Sequence, residues 1–91
     1  MNPFESRFFR LLDSYARSEH DCFLTEMFLN DDESEYVLCF RTLNRHTDRE
    51  KPSACCYLEI TVKDAMDSAH EKLLTQAIAD EMRERLSELR K

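Results

Sequence analysis

Glycine is absent from this 91-residue chain. There is therefore no Gly-rich phosphate loop, no dinucleotide-binding fingerprint and no G-x-S-x-G nucleophile elbow. Turns that need positive φ are expected to fall to Asn or Asp, the next most tolerant residues. Basic residues are also short: 13 Lys and Arg stand against 19 Asp and Glu, for a net charge of −6. That balance argues against a surface built to grip phosphate, which needs clustered cations. It suits a basic partner, or a soluble acidic protein with no charged partner at all.

No apolar run approaches the ~20 residues of a membrane span. The opening stretch MNPFESRFFRLLDSYARSEHD carries charges throughout, unlike a secretory leader. A cytoplasmic location is the expectation, and with it reduced thiols. Repeats, linkers and low-complexity tracts are missing too. The length then allows one domain, residues 1–91, with a small core.

Four cysteines are present. The compartment argues against a disulfide framework. As metal ligands, His20, Cys22, Cys39, His46, Cys55 and Cys56 offer no C-x-x-C pair, and zinc sites usually show paired ligands two to four residues apart. Packing thiols are the simpler reading, and no metal or cofactor is expected. Catalysis is not expected either. The cysteines are the only plausible nucleophiles, with His20, His46 or His70 as base, and a short chain offers little concavity.

The N-terminus reads as a helix over about 3–18. Asn2 caps it, Pro3 takes the first helical position, and Glu5 completes a capping box. A cap at the second residue is expected where the native start is present. Phe4, Phe8, Leu11, Leu12 and Tyr15 recur at helical spacing, with Phe9 widening the stripe. Two aromatic- and aliphatic-rich arms follow, Cys22–Leu29 and Glu35–Leu43. They read as strands about the acidic turn NDDESE. A mixed-charge loop over 44–53 precedes a third strand, Ala54–Lys63.

On that third strand Cys56, Leu58, Ile60 and Val62 share the core face, and Cys55, Tyr57, Glu59, Thr61 and Lys63 share the other. On the second, Tyr36, Leu38 and Phe40 point inward; Val37, Cys39 and Arg41 point outward. The outer face is less polar than a free sheet face usually is, so loops or a partner should cover it. The last segment reads as one long helix capped by Asp64, or by Ser68 with Glu71. Its early apolar positions are Met66, Ala69, Leu73 and Ala77. The later ones, Leu74, Ile78, Met82, Leu86 and Leu89, step mostly by four, so that stripe rotates by some 40° per step. One small sheet does not bury both stripes of a straight helix. Ile78, Met82, Leu86 and Leu89 are therefore expected to form a twofold dimer interface, with cover by the first helix as the alternative.

The expected fold is a small α+β domain of order α-β-β-β-α, with a three-stranded antiparallel meander and two helices on one face. This order resembles that of the double-stranded-RNA-binding domain, which implies RNA binding as one alternative. The likeness covers element order alone. The family's glycine- and proline-bearing loop motif is missing, and the start of the last helix, DAMDSAHEK, is acidic where the family is basic. Arg45, His46, Arg49 and Lys51 make a small basic patch, diluted by Asp48 and Glu50. Direct nucleic-acid binding is not expected.

In charge and make-up the chain is also similar to small acidic secretion chaperones. In size and lack of motifs it is similar to small virus-encoded inhibitors of bacterial defence systems. Both imply binding a protein rather than transforming a substrate. The expected function is a non-catalytic protein-binding module, an antagonist of a basic, nucleic-acid-binding bacterial protein such as a phage-encoded anti-defence protein. Effector binding by a secretion chaperone is the other alternative. The expected contact residues are Asp31, Asp32, Glu33 and Glu35 in the turn and Val37, Cys39 and Tyr57 on the outer sheet face.

Overall fold

A computed structural model describes residues 2–43 and 54–90. Helix α1 spans Pro3–His20, followed by β1 (Cys22–Leu29), β2 (Glu35–Thr42) and β3 (Cys55–Thr61). Helices α2 (Val62–Glu71) and α3 (Gln76–Ser87) complete the fold, and a short 3-10 turn, Glu88–Arg90, ends it. The strands form one antiparallel sheet in the order β1-β2-β3. The α+β class and the meander are those the sequence predicts. The C-terminal segment is not: it is two helices, so the element order is α-β-β-β-α-α.

Local rules set α1. The Asn2 side chain accepts the Glu5 N–H at 2.7 Å, and the Asn2 N–H donates to Glu5 Oε1 at 3.3 Å. Phe8, Leu12 and Ala16 are its fully buried positions. Asp13 faces the sheet edge, where its Oδ1 accepts the Leu24 N–H at 2.9 Å. An open edge of β1 is thereby partly closed. At the other edge, the Arg85 guanidinium of α3 donates to the Tyr57 carbonyl at 2.8 Å.

Strand β1 carries a bulge at Thr25, between Leu24 and Glu26. The Thr25 hydroxyl donates to the Cys39 carbonyl at 3.0 Å. The extra residue resets the alternation. Leu24 pairs with Phe40 and Met27 pairs with Leu38, so both face the core although they are three apart. Leu24, Leu38, Phe40, Leu58 and Ile60 meet Phe8, Leu12, Ala65, Ile78, Met82 and Leu86 in a single core.

Several expectations for the C-terminal half are corrected here. Strand β3 ends at Thr61, whose hydroxyl caps α2 by accepting the Asp64 N–H at 3.2 Å. Val62 and Lys63 therefore begin a helix rather than end a strand. Neither Asp64 nor Ser68 caps it. Ser68 lies mid-helix, fully buried. Its carbonyl accepts the Leu73 N–H at 3.2 Å, and its hydroxyl oxygen accepts the Thr75 N–H at 3.0 Å. The two bonds close α2 and launch α3, which Thr75 caps.

The corner also settles the two apolar stripes. Met66, Leu73 and Ala77 of the early stripe are exposed, and α2 packs instead through the small residues Ala65, Ser68 and Ala69. The later stripe turns into the core: Ile78 is 2% exposed, Met82 0% and Leu86 0%. Leu89 packs half-buried against the same cluster. The dimer interface assigned to Ile78, Met82, Leu86 and Leu89 is thus corrected. These side chains are covered by their own chain because the helix breaks where a straight one would carry them outward.

Positive φ falls at Asp21 (49°), Glu33 (59°) and Lys72 (61°). Only Asp21 fits the expectation of Asn or Asp. Ser68→Ala would leave the half-buried Thr75 N–H without its Ser68 acceptor. It should cost about 1–2 kcal/mol in urea unfolding at unchanged m-value.

Candidate functional site

The helices lie against one face of the sheet, and among the described residues no element covers the other. The open face is built in rows across the three strands. Phe28, Val37 and Glu59 form one row; Glu26, Cys39 and Tyr57 the next; Phe23, Arg41 and Cys55 the third. Phe28 is 48% exposed and Tyr57 51%. Aromatic rings so uncovered in a small chain mark a surface built for contact. At the third row the Arg17 guanidinium sits over the Phe23 ring, 5.6 Å from its centroid, so α1 shields that end.

The acidic turn joins this face at the Phe28 end. The Glu33 N–H donates to the Asn30 carbonyl at 3.0 Å, closing a β-turn with Glu33 in the left-handed region. Asn30 Oδ1 accepts the N–H groups of Ser34 at 3.0 Å and Glu35 at 3.1 Å. Asp32 Oδ1 accepts both the N–H and the hydroxyl of Ser34, which holds its carboxyl below the usual carboxylate value. The Ser34 carbonyl in turn accepts the Val62 N–H at 3.0 Å, tying the turn to the start of α2. Asp31, Asp32 and Glu33 are exposed on this braced loop.

Glu35 leads from the turn onto the sheet. Its proton affinity is raised, first by loss of solvent, then by the Glu59 carboxylate and the hydrogen bond between them, and last by Asp32. Turn and sheet face, separate candidates in the sequence, are one continuous acidic and aromatic surface. Asp31, Asp32, Glu33, Glu35, Val37 and Tyr57 all belong to it. Cys39 does not: it points to the outer face but is only 3% exposed. Its short side chain on the central strand is roofed by its longer neighbours, Tyr57 among them. The bond to Cys39 is the first cause, and the negative field of Glu26 a further one, that holds the Tyr57 hydroxyl above its usual value. Phe28, Glu26 and Glu59 complete the surface and were not among the expected contacts. The bulge at Thr25 hid the faces of β1 from a simple alternation.

The cysteines divide as the alternation predicts: Cys55 is exposed and Cys56 half-buried on the core side. Burial pushes the Cys56 thiol up to about 11, far from a nucleophilic thiolate at neutral pH. Among the described residues, no three His, Cys, Asp or Glu side chains gather to hold a metal ion. Among the same residues no helix is long and apolar enough to cross a membrane. His46 and the basic patch Arg45, His46, Arg49 and Lys51 lie outside the described residues. Comparison with known protein families, curated proteins and solved structures gave no match.

The carboxylate pair has a pH signature. A raised Glu35 binds its proton more tightly folded than unfolded, so its contribution is present below its usual 4.5 and is lost as pH rises through its folded value. Glu59→Gln should lower the Glu35 midpoint in an NMR titration and flatten that part of the stability profile. An unmoved midpoint would show that the two carboxylates do not interact.

Proposed function

We propose that this protein is a non-catalytic binding module whose open sheet face and acidic turn engage a basic protein partner. The supporting observation is the continuity of exposed Phe28 and Tyr57 with Glu35, Glu59 and the turn, on a face that the helices leave uncovered. Aromatic side chains supply contact area at low entropy cost, and the carboxylates steer and orient a cationic surface. A protein that binds nucleic acid presents such a surface, and occupying it excludes phosphate. Antagonism of a basic, nucleic-acid-binding bacterial protein in the cytoplasm is therefore the favoured role.

The test is capture from a bacterial lysate with the wild type and with a variant carrying Asp31→Asn, Asp32→Asn, Glu33→Gln and Glu35→Gln. A basic nuclease or polymerase held by the wild type and lost with the variant is the expected result. A secreted effector would favour the chaperone role, and RNA without protein would revive RNA binding. With the expected partner, association should slow with added salt, since exposed charges beyond about 8–10 Å are screened at physiological ionic strength.

A further inference from the structure

On the helix side of the molecule, a group of cations gathers where α1 meets α2. Between α1 and α2 run two adjoining hollows of about 270 and 250 Å³, which share Arg7 and Ala69. Phe4, Leu11, Ala69 and the exposed Met66 give them apolar walls. Arg7, Arg10 and Lys72 line them with cations. Among the described residues, none of these three has a carboxylate within ion-pair distance, which is equally true of Arg41, Lys63 and Arg85 elsewhere on the surface. What distinguishes the groove is convergence: three cations line one apolar hollow in a chain of net charge −6.

Size and spacing narrow the occupant. Each hollow is below the roughly 300–1,000 Å³ of a small-molecule site, and suits an apolar side chain. One hollow meets α1 at Phe4 and Arg7, the other at Arg7, Arg10, Leu11 and Ser14. Along α1 the two linings are therefore offset by about one to one and a half helical turns, roughly 5–8 Å at 1.5 Å per residue. Apolar anchors at i and i+4 of a docked helix have that spacing. We propose that the α1–α2 groove is a docking site for an acidic amphipathic helix of a partner protein. Two anchors enter the hollows, and flanking carboxylates meet Arg7, Arg10 and Lys72. This site is separate from the sheet face and takes a ligand of opposite sign.

Selection from a displayed helical peptide library tests it. The expected winners are acidic, with apolar residues at i and i+4. Their affinity should fall at least about tenfold on Arg7→Glu with Arg10→Glu and on Met66→Glu, and stay unchanged in Glu59→Gln. Arg7, Arg10 and Met66 are exposed, so unchanged melting is expected for these variants. Lys72→Gly adds a separate readout. It relieves a left-handed lysine, so it should raise the melting temperature by a few degrees while weakening peptide binding. A purely structural lysine would give the first change without the second. Failure to enrich any peptide, enrichment of basic ones, or equal binding by the charge-reversed variant would overturn the proposal. So would self-association of the wild type that disappears on Arg7→Glu, which would seat a second copy in the groove.

Discussion

Leu86→Glu is expected to unfold the chain. Leu86 is fully buried beside Ile78 and Met82, and its cluster reaches Phe8, Phe40 and Leu58 on α1 and the sheet. A carboxylate placed there loses its solvent and gains no cation, at a cost of several kcal/mol. A domain of this size has only about 5–15 kcal/mol to lose, and one with a small core lies toward the lower end. Leu86→Ala should be milder, about 2–5 kcal/mol, from lost contacts and a residual cavity. Far-UV circular dichroism and urea unfolding read both variants. A Leu86→Glu protein with wild-type helix content and cooperative unfolding would return this stripe to the surface, and the dimer interface with it.

Tyr57→Ala and Phe28→Ala should show the reverse pattern. Both rings stand about half exposed on the open sheet face. Removing either should change stability by under about 1 kcal/mol, because little buried area is lost and the Arg85 bond to residue 57 uses its backbone carbonyl. Affinity for the basic partner should fall by about 30-fold or more, the scale of a central aromatic anchor at 2 kcal/mol. Calorimetry of each variant with the captured partner measures affinity, and thermal melts measure stability. The acidic-turn variant should differ in kind: its association rate should drop and its dissociation rate should change little, since rim charges steer more than they hold. Loss of stability with unchanged binding would make this face structural, and the proposed function would fall with it.

Much of this molecule was legible because its rules are local. The Asn2–Glu5 capping box, Pro3 and the Phe8–Leu12 spacing define α1 within a few residues, and the helix runs to His20. Strand β1 has the predicted limits, and β2 differs only at its last residue. The inward and outward faces of β3 follow from alternation alone, and they separate Cys55 from Cys56. The acidic turn is legible for the same reason, although its left-handed position went to Glu33. There the bonds made by Asn30, Asp32 and Ser34 fix the loop around a residue that does not itself favour that conformation.

The amino-acid sequence by itself determined the start of α1, the meander, the alternation of β3 and the acidic character of one turn. Each rests on hydrogen bonds or side-chain periods that span only a few residues. The tertiary structure alone decided the rest. The bulge at Thr25 shows in the pairing of β1 with β2, and the corner after Lys72 in bonds to a buried serine. Burial of Ile78, Met82 and Leu86 then followed from that corner, which turns the later stripe onto the core. The same holds for the two surfaces. A side chain's face is set by its neighbours in sequence, but whether that face is covered depends on where distant elements pack. Here the helices pack on one side of three strands, leaving acid and aromatic rings open on one face and a cationic groove between α1 and α2.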